Sequence, residues 1–352
     1  AVSNVCDDGS PPTCTAHLLM ESDFSRSGYA SQEEGIHVLV SHEYFHAVQN
    51  AYVDSLPPWW SEGTATWFEE WYDPTQSDFE RLANGYFAES ARSLNSRSQG
   101  PFDSFNYAGA LFVHFIELEY GVDTLRTTFE AIGAGAEVLD AIDGSLALQE
   151  SSLSSAFERF ARWNLYTGTR ATAGAGYPQA AGYDEVQVER IDVSAGADYN
   201  ASIDPLAARY LQLQLSGSAR LSVEPVNDGE PIASVWLTDS PDEAMLLDEE
   251  GILIDDTSVT LVLVNGDWDL ERSVRVKVRN EEPPPVDEDP IGDGDPGDVL
   301  EEDTTMGSGG DDGCAAVLVS RTEPSWKALL LLFIMVLARR TRYPEYGQYP
   351  GC

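Results

Sequence analysis

Two histidines four residues apart, His42 and His46, flank a carboxylate in His42-Glu43-Tyr44-Phe45-His46, and Glu62 follows 16 positions after His46 in Trp59-Trp60-Ser61-Glu62-Gly63. On a helix, residues four apart lie on one face, so the two imidazoles can reach a single metal ion. Glu43 sits one step round, where a carboxylate can act on a metal-bound water. Zinc takes nitrogen and carboxylate ligands, and a catalytic zinc keeps one position open for water. His42, His46 and Glu62 fit that set, with Glu43 as general base. The metal would lower the pKa of its water from about 15.7 toward about 7, and the chemistry expected is hydrolysis of a peptide bond without a covalent intermediate.

Such a pattern has meaning only on a helix, and the local signals supply one. Ser31-Gln32-Glu33-Glu34 reads as a capping box. Ile36, Val40, Tyr44, Ala47, Val48 and Ala51 recur at helical spacing behind it. The run stops at Pro57-Pro58, because proline cannot continue a helix. A second helix is expected over about 59–71. It carries Glu62, Glu69 and Glu70, so the third ligand is open in principle. Glu62 is preferred because it lies in the first turn after the return, nearest His46. Gly63 beside it would let the two helices approach closely. A chance match to His-Glu-x-x-His in a chain of this length is of order one in a hundred, which favours a metal site over accident.

The pair His42-Glu43-x-x-His46 and Glu62-Gly63-Thr64-Ala65 resembles the gluzincin metallopeptidases, whose third zinc ligand is a Glu on the next helix. The wording is similar to a group of secreted metalloproteases of myxobacteria and their relatives. The shared pieces are His42 to Gln49, Trp59 to Trp67, Tyr107 to Phe112 and Phe160 to Gly168, so the resemblance spans about residues 15–170. It implies a thermolysin-like domain, mostly helical with a small N-terminal sheet, and a zinc cofactor. It also implies that a strand before the first helix pairs with extended substrate. One position departs. Many gluzincins carry Asp four residues after the ligand Glu, to orient the first His; here Thr66 stands there, so that support falls to Thr66, Glu69 or another segment.

Composition narrows the classes. The formal charge of −40, with Lys277 and Lys327 the only lysines, excludes a nucleic-acid partner, which needs clustered cations on phosphate. Cys6 and Cys14 bracket a short polar loop and read as a disulfide, hence an oxidising compartment. The chain starts at Ala1, and an export signal is expected to have preceded it.

Along the chain, 15–24 reads as a strand in which His17 is a lone, structural histidine. Helices are expected near 78–90 and over 107–120, 123–132, 137–142 and 152–166. Tyr107 opens the second of these, and a tyrosine hydroxyl near the metal can stabilise an oxyanion; packing is the alternative role. His114 reads as a buried core histidine. From about 186 the pattern alternates, with strand-like runs at 210–215, 219–223, 233–237, 259–264 and 274–278 and a turn at Asn265-Gly266. This predicts a β-sandwich over 186–280. Residues 281–313 hold 13 acidic and no basic residues and three consecutive prolines, which predicts an extended linker.

Cys314, the apolar run 328–338 and Arg339-Arg340-Thr341-Arg342 resemble a myxobacterial C-terminal sorting tail, 314–343, although the run is shorter than the roughly 20 residues of a helical span. Residues 344–352 extend past that pattern. The chain is thus expected to be α+β: a metallopeptidase domain over 1–185, a β-sandwich, a linker and an anchor. It would act as a monomer at or outside the cell surface, on protein or peptide. Two rivals remain: a surface-binding protein that keeps the zinc fold without turnover, which intact Glu43 opposes, and a zinc hydrolase of a non-peptide substrate.

Overall fold

The computed structural model describes residues 2–281, apart from 7–13, 21–22, 25–27, 76, 101–102, 194–196, 228 and 239. The expected linker from 282, sorting segment and tail, with Cys314 and Cys352, lie outside the described residues. Among those described, no helix is long and apolar enough to cross a membrane. The architecture is α+β, with helices first and two larger sheets after them.

Strands β1 (Val2–Cys6) and β2 (Cys14–Leu18) form an antiparallel hairpin beside the first helix. The strand expected over 15–24 ends at Leu18; Leu18, Leu19 and Met20 are exposed. His17 is exposed on β2, opposite Ser3.

Helix α1 (Gln32–Gln49) begins where the capping box requires. Ser31 Oγ accepts from the Glu34 amide at 3.0 Å, a cap worth about 1 kcal/mol. The reciprocal bond falls one residue earlier, from the Ala30 amide to Glu34 Oε2 at 2.7 Å. The buried face differs from the expected one. Tyr44 and Ala51 are exposed and Ile36, Val40 and Ala47 half-buried, while Val38, Ser41, His42, Phe45, Val48 and Gln49 are buried. Apolar residues run round much of this helix, so the partner selects the face. That partner is α2 (Pro58–Tyr72), which starts with proline in its first turn. Phe45 packs on Trp67, Phe68 and Phe129 at ring distances of 4.9–5.9 Å. An aromatic buried to that extent contributes about 1.5–3 kcal/mol.

Helix α3 (Phe79–Ala88) follows. The single helix expected over 107–120 is two, α4 (Phe105–Ala108) and α5 (Ala110–Tyr120), broken at Gly109. Tertiary packing requires glycine at the break. A Cβ on Gly109 would stand 2.6 Å from the Trp59 carbonyl oxygen, and one on Gly63 would stand 2.9 Å from Gly109 carbon. Gly63 therefore serves the approach of α2 to the α4–α5 corner, and not the approach to α1 expected from the sequence. Helices α6 (Val122–Gly133), α7 (Val138–Ala147) and α8 (Leu153–Leu165) complete the helical half. Phe112, Phe115, Phe157 and Phe160 are fully buried where α5 and α8 meet.

The remaining strands are β3 (Val188–Val193), β4 (Asp198–Ile203), β5 (Ala207–Leu215), β6 (Ala219–Glu224), β7 (Ser234–Thr238), β8 (Ala244–Leu246), β9 (Ile252–Ile254), β10 (Ser258–Asn265) and β11 (Arg272–Asn280). One sheet runs β3-β5-β10-β7-β8 and the other β4-β11-β6-β9. All pairs are antiparallel except β3 with β5. Both sheets feed one apolar cluster, including Leu211, Leu213, Leu261 and Leu263 from one and Leu221, Val223, Val274 and Val276 from the other. Strands β6 and β11 alternate buried and half-buried residues, whereas β10 ends in five buried residues. The cause is α8, which packs on β10 and covers a second face. Tyr210 of β5 donates its hydroxyl to the Ala161 carbonyl of α8 at 3.0 Å. No tight turn forms at Asn265-Gly266: β10 runs through Asn265 and residues 266–271 pass the chain from one sheet to the other, with Asn265 Nδ2 donating to the Ile203 and Leu270 carbonyls. Helices and sheets together form one compact unit, Ala1–Val286.

Candidate metal centre

Because α1 and α2 pack with their facing sides buried, His42, His46 and Glu62 meet. His42 Nε2 lies 3.2 Å from His46 Nε2 and 3.2 Å from Glu62 Oε2, and His46 Nε2 lies 3.5 Å from the same oxygen. A tetrahedral ion with bonds of about 2.0–2.1 Å holds its ligand atoms about 3.3 Å apart. The three donors thus stand at the edge lengths of such a tetrahedron. Among the described residues this is the one group of three or more that could hold a metal ion.

Each imidazole is gripped at its other nitrogen, as metal-binding histidines usually are. His42 Nδ1 is 2.7 Å from Glu69 Oε1, and Glu69 Oε2 accepts from the Asp78 amide at 2.9 Å. Glu69, buried to 2% exposure, therefore stands where the departure at Thr66 left a question. Thr66 is fully buried, and its hydroxyl has no hydrogen-bond partner among the described residues. Glu70 faces away and accepts from Ser77 Oγ at 2.7 Å. His46 Nδ1 is 2.9 Å from Gln49 Oε1. Gln49 was not singled out by sequence reasoning, although its place one turn beyond His46 on the same face is a usable signal.

Burial opposes a charge on His42, but the carboxylates of Glu62 and Glu69 outweigh it and raise the imidazole to about 9. Burial would likewise raise Glu62; His42 and His46 outweigh that and lower it to about 2. Burial holds the Glu69 carboxyl above its ordinary value. A metal ion bound here would compete with protons, because histidine ligands bind a metal in their neutral form.

A cavity of about 500 Å³ opens over the cluster, and Glu43 lines it together with Asn50, Val53, Leu56 and Tyr107. Glu43 is only 8% exposed. Tyr107 comes from the short α4, which the Gly63–Gly109 contact seats against α2. Its ring lies 6.0 Å from that of His42. Burial and the Glu62 charge push that phenol up to about 12. All five residues singled out for chemistry, His42, Glu43, His46, Glu62 and Tyr107, therefore face one cavity. A second cavity, of about 360 Å³ between α8 and the five-stranded sheet, is lined by Ser154, Glu158, Trp268 and Arg272, among others.

No family model matches the chain, and no curated protein matches it. Among solved structures, the Salmonella Typhimurium PliG crystal structure, a periplasmic inhibitor of g-type lysozyme, is similar at 12% identity. The match covers 26% of this chain and 97% of that one at a TM-score of 0.21, a likeness too slight to bear on fold or function.

Proposed function

We propose that the chain is a zinc metallopeptidase of the gluzincin type, with a thermolysin-like helical half and the two facing sheets as an accessory β-sandwich. What carries the reading is the convergence of two imidazole nitrogens and one carboxylate oxygen within 3.5 Å, beside a carboxylate that lines the same cavity. The donor set suits zinc, and His42, His46 and Glu62 would hold it with three of the four ligands that a catalytic zinc takes.

Zinc bound there would supply a Lewis acid for the scissile carbonyl and a water of lowered pKa. The chain's own residues do the rest. His42, His46 and Glu62 hold the ion. Glu43 accepts a proton from the attacking water and returns it to the leaving amine nitrogen. Tyr107, on the same cavity, offers its hydroxyl to the developing oxyanion. The open cavity admits an extended peptide, and β2 is the strand that could pair with it.

The reading extends to location. The hairpin register sets Cys6 opposite Cys14, which supports a disulfide between them and, with it, an oxidising compartment. The order Cys314, apolar run, arginine cluster then serves attachment at the cell surface.

The test is an assay on casein or a peptide library, with and without a chelator, for the wild type and Glu43→Gln. Chelation should abolish cleavage and added zinc restore it. Glu43→Gln should keep its zinc and lose about two to four orders of magnitude in rate. Near wild-type cleavage by Glu43→Gln would refute the mechanism.

A further inference from the structure

Gln49 ends α1 with its side chain 3% exposed, and both ends of its amide are occupied. Nε2 lies 2.8 Å from the Ser61 carbonyl oxygen and 2.8 Å from Thr64 Oγ1. Oε1 lies 2.9 Å from His46 Nδ1 and 3.0 Å from Ser61 Oγ.

Ser61 Oγ also lies 3.4 Å from His46 Nδ1 but donates to Gln49 Oε1 at 3.0 Å, which leaves the network one consistent set of proton positions. The Ser61 carbonyl can only accept, so the amide nitrogen must face it. Thr64 spends its own proton on the Trp60 carbonyl at 2.7 Å, or on that of Ser61 at 3.3 Å, so toward Gln49 it accepts. The amide oxygen is thereby turned to His46, and His46 must carry its proton on Nδ1. The lone pair is left on Nε2, the atom that faces His42 and Glu62.

The donors and acceptors on α2 that orient Gln49 belong to Ser61 and Thr64, which flank Glu62 in sequence. The bond to His46 therefore forms in register only when the first turn of α2, with its ligand, stands at the right distance from α1. His42 is held differently, by a carboxylate bound to the Asp78 amide outside both helices.

We propose that Gln49 is a positioning residue of the metal centre. It selects the Nδ1–H tautomer of His46 and couples the His46 ring to the turn that bears Glu62. The assignment rests on the metal-site reading above and adds to it a neutral amide clamp on one ligand opposite a carboxylate on the other.

The test measures zinc affinity by competition with a chromophoric chelator, and the visible spectrum of the cobalt-substituted protein. The proteins are the wild type, Gln49→Met and Thr64→Val. Methionine keeps the length and shape of glutamine without its hydrogen bonds. Gln49→Met should bind zinc about 10- to 100-fold more weakly, the usual cost of losing a partner behind a metal ligand. Its cobalt bands should shift and its far-ultraviolet circular dichroism should match the wild type. In the zinc-loaded wild type, the His46 Nδ1 proton should give a slowly exchanging downfield resonance that Gln49→Met loses. Thr64→Val, which removes one of two acceptors for the amide, should show a smaller loss of affinity in the same direction. Should Gln49→Met prove too unstable to measure, Thr64→Val decides by the same readouts. Wild-type affinity, cobalt spectrum and Nδ1 resonance in the variants would overturn the assignment while leaving the metal site standing. A wild-type protein that takes up no zinc or cobalt would overturn the metal site itself.

Discussion

His42 and His114 look alike one residue at a time. Each lies on a helix, each is buried, at 8% and 5% exposure, and each sets Nδ1 against a glutamate, at 2.7 Å for Glu69 and 3.1 Å for Glu117. They part at the other nitrogen. His42 Nε2 meets His46 and Glu62 beneath an open cavity. His114 Nε2 has no hydrogen-bond partner among the described residues, and its ring lies between Phe79 and Tyr177 at 5.0 and 6.2 Å. A buried histidine backed by a carboxylate is therefore not a site. What makes one is convergence of further donors on the ring's free edge, together with a path to solvent.

The largest expected effect is at the converging edge. Glu62→Ala should purify largely without metal, since it removes one of three ligands. Metal analysis that finds full zinc in this variant would break the comparison and move the ligand elsewhere on α2. Behind the ring the effect should be smaller. Glu69→Gln keeps the shape and removes the charge, and should keep stoichiometric zinc while weakening its affinity about 10- to 100-fold. Chelator competition measures it, and an unchanged dissociation constant would show that the 2.7 Å contact to His42 orients nothing.

The smallest effect sharpens the contrast. His114→Phe should leave zinc binding unchanged. An unpartnered buried ring nitrogen costs about 1–3 kcal/mol, which offsets the about 1.5–3 kcal/mol of a hydrogen bond to a charged group. The variant should therefore keep its stability to within about 1 kcal/mol, read as a melting temperature little changed with and without zinc. A loss of zinc in His114→Phe would mean that this histidine too serves the metal.

Much of this centre was legible because its signals are local. Ser31 and Glu34 mark the start of α1, Pro57 and Pro58 force the break before α2, and the spacing of His42 and His46 is one helical turn. The runs that became β5, β6, β7, β10 and β11 were legible for a similar reason, as short apolar alternations between turn residues. The buried face of α1 was not. Ile36, Val40 and Tyr44 are as apolar as Val38 and Phe45, and only the aromatic wall of α2 and α6 selects between them. The break at Gly109 was hidden inside an apolar run with helical period. Glycine is required there by the Trp59 carbonyl, fifty residues earlier. The parallel pairing of β3 with β5 has no local marker either, since alternation reports a face and not a neighbour.

The sequence by itself determined which atoms are available: two imidazoles and a carboxylate at helical and interhelical spacing, with Glu43 between the histidines. Cap, proline and spacing act over a few residues, and backbone geometry alone carries them into the fold. Tertiary structure decided what stands behind those atoms. Thr66 occupies the position where an orienting carboxylate was expected, yet Glu69 takes the role because the Asp78 amide, beyond the end of α2, holds it there. Gln49 holds His46 because Ser61 and Thr64 come into reach across two packed helices. Hydrogen-bond partners of this kind are set by distance in space, which sequence separation does not encode. The candidate donors could therefore be read in advance, and the groups that orient them only once the chain had folded.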